Sequence, residues 1–349
     1  MKGISGWKLV FGVILAILIV VGFSWARPIY SEMQAMKAPN YEQGSHKGAV
    51  FCGQCHREIY EAWSTRSLHA VATTKPSFKD YLNKFNENFL LGTFVTDAVC
   101  YACHGQKTNT EGVNCEICHG TVLAGEPIMV THEKKYQPGM DALRDQEFCA
   151  ICHDIRSPLS KDHIFTVQGE WRNSKAAAAG KTCQSCHMQR SPRGVSYHGF
   201  DSAHLDETIY QDELLIRDVR LNFPDFQMVV ENTISAHALP PSGPTRVMGM
   251  TINFHDKQGQ VIHRIQETFT KKFKLMPIAG LFPNRLINNT QLQSNEARPM
   301  SYTLPSTLKG EVRKAVISFR FYGVSDEHQG DIHQAHWISK AIFQQEYVY

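Results

Sequence analysis

CGQCH (52–56), CYACH (100–104), CEICH (115–119), CAICH (149–153) and CQSCH (183–187) repeat one pattern, Cys-x-x-Cys-His, and together they take up all 10 cysteines of the 349-residue chain. At this composition roughly 0.01 such motifs would arise by chance, so the repetition carries the fold. A disulfide or zinc framework gives no reason for a histidine after every second cysteine. Covalent haem attachment does: the two thiols add to the vinyl groups, and the adjacent histidine becomes the proximal iron ligand. The sequence therefore predicts five c-type haems. They are bonded through Cys52, Cys55, Cys100, Cys103, Cys115, Cys118, Cys149, Cys152, Cys183 and Cys186, with His56, His104, His119, His153 and His187 on the proximal side. No cysteine is left for a disulfide or a nucleophile, and no catalytic residue is assigned.

Haem c is attached after export, so the motifs imply an export signal. Lys2 and Lys8 flank the start of an uncharged, mostly apolar run, Leu9–Trp25. The lysines favour an inside N-terminus, which sends the rest of the chain outward. The run is slightly long for a signal-peptide core and slightly short for a spanning helix. Ser24-Trp25-Ala26 is a passable cleavage site. Residues 1–26 are thus read as a membrane anchor or a removed signal, and 27–49 as a linker.

The region 50–208 holds every motif, at near 32 residues per haem, too few for a conventional apolar core. The macrocycles are expected to form the core, with short helices and loops around them. Lys175–Gly180, with its four alanines, reads as a helix end before the fifth motif. The short spacing between His104 and Cys115 makes the second and third haems expected neighbours. Across 209–349 cysteine disappears and strand-like runs take over: Phe226–Glu231, Arg246–Phe254, Gln260–Phe269 and Val312–Tyr322. Asp256–Gly259 reads as a hairpin loop with glycine at a positive-φ position. The prolines, Pro283 and Pro299 among them, are placed between strands. The fold class is α+β multidomain: a haem-packed, mostly helical and loop domain, then an immunoglobulin-like antiparallel β-sandwich, with one N-terminal transmembrane or signal helix.

Of 17 histidines, the motifs use only the proximal set. The excess is explained by distal ligation, and paired imidazoles hold iron low-spin at comparatively low potential. Met129, Met140 and Met188 are thioether alternatives, but Met188 directly follows a proximal histidine and cannot turn back to that iron. His163, ten residues after the fourth motif, is a candidate, as are His204 and His46. His255 and His263 fall in or beside strands and are expected to be satisfied or exposed. Asp326, Glu327, His328, Asp331, His333 and His336 form a polar cluster that is either loop composition or a divalent-metal site.

The stretch CGQCHREIYEAWSTRSLHA (52–70) resembles the opening of the multihaem cytochrome c-554 family. GVNCEICHG (112–120) followed by His132, and TCQSCHM (182–188) followed by YHGF (197–200), are similar to the same family. That resemblance implies His69, His132 and His198 as distal ligands. The fifth motif departs from the family's four, which leaves the pairing of ligands with irons open. NTISAHALPPSG (232–243) resembles a segment of the β-domain appended to many such cytochromes, with Ala236 in place of the usual glycine. It implies that His237 either leans onto a nearby haem or is a loop histidine bonded to backbone.

The formal charge of +3 becomes about −7 once each of five haems adds two propionates. A nucleic-acid surface is therefore not indicated. Small, transient, charge-complementary contacts with redox proteins are expected instead. The leading expectation is a non-enzymatic electron carrier on the outer side of the cytoplasmic membrane. Its partners would be a membrane quinol-oxidising complex or periplasmic or extracellular acceptors. The alternatives are a small-oxyanion or nitrogen-oxide reductase with one open haem, and a conducting subunit of a respiratory complex or cytochrome filament.

Overall fold

Short capped helices dominate the first part of the described chain. A computed structural model describes residues 48–72, 104, 111–119, 122–123, 126–127, 143–155, 165–200, 213–234, 236–241, 246–275, 283–322 and 340–349. The expected anchor or signal at 1–26, the 326–336 cluster, Cys100, Cys103, Met129 and Met140 lie outside the described residues. So do His46, His132, His163 and His204. Among the described residues no helix is long and apolar enough to cross a membrane.

The first helices are α1 (Gly48–Gly53) and α2 (Arg57–Arg66), followed by a 3-10 turn at His69–Val71. Helix α1 opens two residues before the expected end of the linker. Next come α3 (Cys115–His119), the short strands β1 (Val122–Leu123) and β2 (Glu126–Pro127), and α4 (Gln146–His153). Helices α5 (Val167–Arg172), α6 (Lys175–Ala178) and α7 (Cys183–His187) complete the region. Helices this short are marginal alone, so their free N–H groups need partners. Asn114 Oδ1 accepts from the N–H groups of Glu116 and Ile117, at 3.1 and 3.2 Å. Asp145 caps α4 through the Glu147 N–H, and Thr182 with Ser185 forms a capping box on α7. Helix α6 ends with Gly180 at φ 71°, as the alanine run implied.

Buried apolar residues here are few: Ala49, Trp63, Ala70 and Ala176 among the described ones. Polar links tie distant motifs instead. Segment 111–114 is a hub. Glu111 accepts from the Ala49 N–H at 2.7 Å, and the Val113 carbonyl accepts from the Trp63 indole at 3.0 Å. The Val113 N–H donates to the His69 carbonyl at 2.8 Å. The side-chain amide of Gln184 likewise reaches back to the Leu143 and Asp145 carbonyls, joining the fifth motif to the approach of the fourth.

The second part is built of antiparallel strands: β3 (Leu214–Asn222), β4 (Asp225–Asn232), β5 (Val247–His255), β6 (Val261–Phe269), β7 (Lys271–Leu275), β8 (Pro283–Asn289), β9 (Ala297–Thr303), β10 (Lys314–Tyr322) and β11 (Lys340–Val348). One sheet runs β11-β10-β5-β6, a second β3-β4-β9, and β7-β8 forms a ribbon. Residues at period two from both sheets, including Leu214, Phe226, Met228, Met250, Ile252, Phe254, Ile317 and Phe319, meet in one apolar cluster. The four strand-like runs of the sequence correspond to β4, β5, β6 and β10. The Asp256–Gly259 loop is also as expected: Gly259 sits at φ 78°, and Asp256 Oδ1 accepts from the Gln258 and Gln260 N–H groups.

The prolines need a correction. Pro299 lies inside β9 opposite Val229, and Pro283 opens β8. Strand β9 is at the edge of its sheet, where an absent N–H costs no ladder bond.

Two outcomes test this architecture. Phe319 is fully buried between Phe269 and Phe343, at centroid distances of 6.0 and 5.9 Å, so Phe319→Ala should cost about 3–5 kcal/mol. Gln258→Ala, in the exposed hairpin, should stay within about 0.5 kcal/mol by thermal or urea unfolding. Gly112 has φ 66°, and a Cβ there would stand 2.1 Å from the His69 carbonyl oxygen. Gly112→Ala should therefore destabilise by about 1–3 kcal/mol and displace the His69 turn, seen as a change in the visible spectrum of the haem-loaded protein.

Candidate haem-binding site

Motif histidines sit at or beside the C-terminal ends of their helices. His119, His153 and His187 end α3, α4 and α7, and His56 precedes α2. In the first, third, fourth and fifth motifs the cysteines lie just before the histidine, on or beside the same short helix, a spacing that would present two sulfurs and one imidazole to one macrocycle. Motifs also approach one another: the Cys115 thiol hydrogen-bonds with Cys52, and Cys149 with Cys183.

Three motif histidines face a second histidine from elsewhere in the chain. His153 and His69 have ring centroids 6.1 Å apart at 72°, and His119 and His198 are 6.2 Å apart at 28°. His187 and His237 are 6.4 Å apart at 15°. These separations are too long for ring stacking. A metal–imidazole bond is about 2.0–2.1 Å, and about 1.1 Å separates a ring nitrogen from its ring centre, so two trans imidazoles on one metal have centroids about 6.2–6.4 Å apart. All three pairs fall at or within about 0.1 Å of that distance.

The protonation chemistry agrees. Burial pushes His69 down to about 3, reinforced by the neighbouring His153, and pushes His104, His119 and His187 down to about 4. Burial also lowers His153, His198 and His237. A neutral imidazole with a free lone pair is the form that binds metal. His153 and His187 keep exposed surface, so neither is packed into an apolar core.

Tautomers follow from the partners, because a carbonyl only accepts. His198 Nδ1–H donates to the Ser196 carbonyl at 2.8 Å, and His237 Nδ1–H to the Ala238 carbonyl at 3.2 Å. Nε2 of each is left as the ligating atom, and the hydrogen bond fixes the ring plane. Among the described residues no cluster of three or more His, Cys, Asp or Glu groups is placed to hold a metal ion.

Of the distal candidates, His69, His198 and His237 are brought opposite motif histidines. His237 faces His187 and also hydrogen-bonds to backbone at the Ala238 carbonyl. His255 and His263 lie apart from the pairs: His255 bonds the Gly259 carbonyl at 3.0 Å, and His263 tilts against Phe254 at 5.9 Å. His104 lies close enough to His153 and His69 for their charges to interact, and it hydrogen-bonds at Ala72.

Sequence reasoning gave no role to Phe200. Its ring stands edge-on to His69 at 4.7 Å and to His198 at 6.1 Å, wedged between two distal candidates. Its φ of 49° is unusual for a bulky residue and marks a backbone held in place by its surroundings. The YHGF stretch carried the signal, since a residue beside a ligand candidate has few ways to avoid the cofactor. Gly112 and Asn114 were similarly visible only as letters next to the third motif.

Comparison with known proteins extends this picture. The family model for cytochrome c554 and c-prime matches residues 51–120. The C-type polyheme cytochrome OmcB, from two strains of Geobacter sulfurreducens, is 24% identical over an alignment of 140 residues that covers 34% of this chain. The match spans 18% of those relatives' length. The crystal structure of a penta-heme cytochrome c552 from Thermochromatium tepidum superposes with a TM-score of 0.65 at 17% identity, covering 86% of this chain and 98% of that one, a likeness of fold. With the Cys-x-x-Cys-His repeats and the iron-spaced imidazole pairs, these matches make the chain a multihaem c-type cytochrome.

Proposed function

We propose that this chain carries electrons through five covalently bound haems and performs no substrate chemistry of its own. The observation that bears most weight is the spacing of the imidazole pairs: His153 with His69, His119 with His198, and His187 with His237. Each haem supplies a one-electron ferric/ferrous couple. The five motif cysteine pairs, from Cys52/Cys55 to Cys183/Cys186, hold the macrocycles. His56, His104, His119, His153 and His187 would hold the irons from the motif side, and His69, His198 and His237 would supply a second imidazole to three of them. His46, His132, His163 and His204 are available to His56 and His104. Imidazoles held on both sides by hydrogen-bonded frames keep the same geometry in both oxidation states, which suits transfer and leaves little room for exogenous ligands.

The chain is read as 1–26 anchor or signal, 27–49 linker, 50–208 haem domain and 209–349 β-domain. Two antiparallel sheets sharing one core support an immunoglobulin-like reading of the last. Haem attachment and the polar N-terminus ahead of an apolar run support a location on the outer side of the cytoplasmic membrane. There the chain would exchange electrons with a quinol-oxidising complex or with periplasmic or extracellular acceptors.

Low-temperature EPR of the oxidised protein, with haem quantified per chain, tests this. Five low-spin ferric haems and no uptake of carbon monoxide after reduction are expected. A high-spin haem that binds nitrite or nitric oxide would move a reductase ahead. His69→Ala and His198→Ala should each convert one haem to high-spin, whereas His255→Ala and His263→Ala should leave the spectrum unchanged.

A further inference from the structure

A buried ion pair between the two parts of the chain lies beside His237. Lys271, the first residue of β7, is 3% exposed at its side chain, and Glu170 on α5 is 14% exposed. Their Nζ and Oε1 stand 3.3 Å apart. Thr166, the residue before α5, joins both: its hydroxyl donates to Glu170 Oε1 and accepts from Lys271 Nζ. An ammonium withdrawn this far from water needs such partners, because an unpaired buried charge is strongly unfavourable.

The other oxygen of Glu170 does something different. Oε2 accepts the backbone N–H of Ala238 at 2.9 Å, across 68 residues of sequence. Ala238 directly follows His237 and also supplies the carbonyl that fixes the His237 tautomer. From the opposite side, the buried Asn232 amide donates to the His237 carbonyl at 3.2 Å and to the Leu292 and Gln293 carbonyls at 3.1 and 3.0 Å. The β-sheet thus holds the loop by Asn232, and the helical region holds it by Glu170. Lys271 and Thr166 together aim the Glu170 carboxylate.

We propose that Glu170 and Lys271 are positioning residues that hold the His237 imidazole opposite His187, so that the β-region closes the iron of the fifth motif. The inference rests on His237 being an axial ligand. When the pair is broken, the 236–241 loop loses its only described tether to α5, and His237 swings out of ligand distance. The fifth-motif iron then becomes five-coordinate and open to a diatomic ligand. Regulation of that opening would act through contact between the two parts of the chain.

The test uses the full haem-loaded chain, with haem content and far-UV circular dichroism matched to wild type. His237→Ala should convert one low-spin ferric signal to high-spin and give uptake of one carbon monoxide per chain on reduction. Glu170→Ala and Lys271→Met should each lose the same low-spin signal and bind carbon monoxide at the same iron. The double variant Glu170→Gln with Lys271→Met removes both charges but keeps a side-chain acceptor for the Ala238 N–H, and it should restore the low-spin state. If His237→Ala opens an iron while both single variants stay fully low-spin, the positioning role is overturned and the ligand assignment stands. If His237→Ala opens none, the assignment itself fails. A double variant as open as the single ones would also overturn the proposal, since retaining the hydrogen bond would then do nothing.

Discussion

Two imidazoles that share an iron must be held about 6.2–6.4 Å apart, with no protein atom between them. That demand is opposite to ordinary core packing, where side chains interdigitate until no gap remains. The pairs His69–His153, His119–His198 and His187–His237 stand at about that separation, each histidine held by its own backbone segment. The motif histidines are fixed by helix ends whose N-termini are capped, and the opposing ones by turns and carbonyls. The hydrogen bonds around the haem-binding region therefore act as struts, and its few buried apolar residues are small or aromatic.

The same demand explains why segment 111–114 connects so much. It caps α1 through Glu111, takes the Trp63 indole on Val113, pins the His69 carbonyl, and caps α3 through Asn114. One short stretch thereby fixes the first motif, the third motif and a histidine that faces the fourth. Gly112 is required there because its positive φ and missing Cβ let the backbone lie against His69.

Local chemistry was legible in the sequence and long-range pairing was not. Cys-x-x-Cys-His is a complete chemical statement within five residues. The stop at Gly180 and the Asp256–Gly259 hairpin are equally local. Strands β4, β5, β6 and β10 were readable because they alternate β-branched, aromatic and polar residues. Strand β9 was harder, since Pro299 obscures a strand that tolerates it only at a sheet edge. The family resemblance singled out His69, His132 and His198, and offered His237 as a ligand or a loop histidine, but could not say which iron each one faces. His69 follows the first motif and faces the fourth, a pairing that only tertiary structure can set.

His237 belongs to a loop beyond β4, so the β-region has its own apolar core and still delivers a side chain into the haem region. A β-domain that only spaced or docked the chain would gain nothing from burying a lysine at that junction. Replacing a buried ion pair with apolar residues is often neutral or stabilising, which makes stability a weak reason for Lys271 and Glu170 to be there. Direction is a stronger one. An apolar contact would hold the two parts together with freedom to slide, whereas a carboxylate that must satisfy Lys271, Thr166 and the Ala238 N–H together permits one register. A shift of an ångström there would be felt directly at His237, and the proposed ligation tolerates only a fraction of that. The polar junction is therefore best understood as a specification of where His237 sits, with the β-core supplying the rigidity that makes the specification hold.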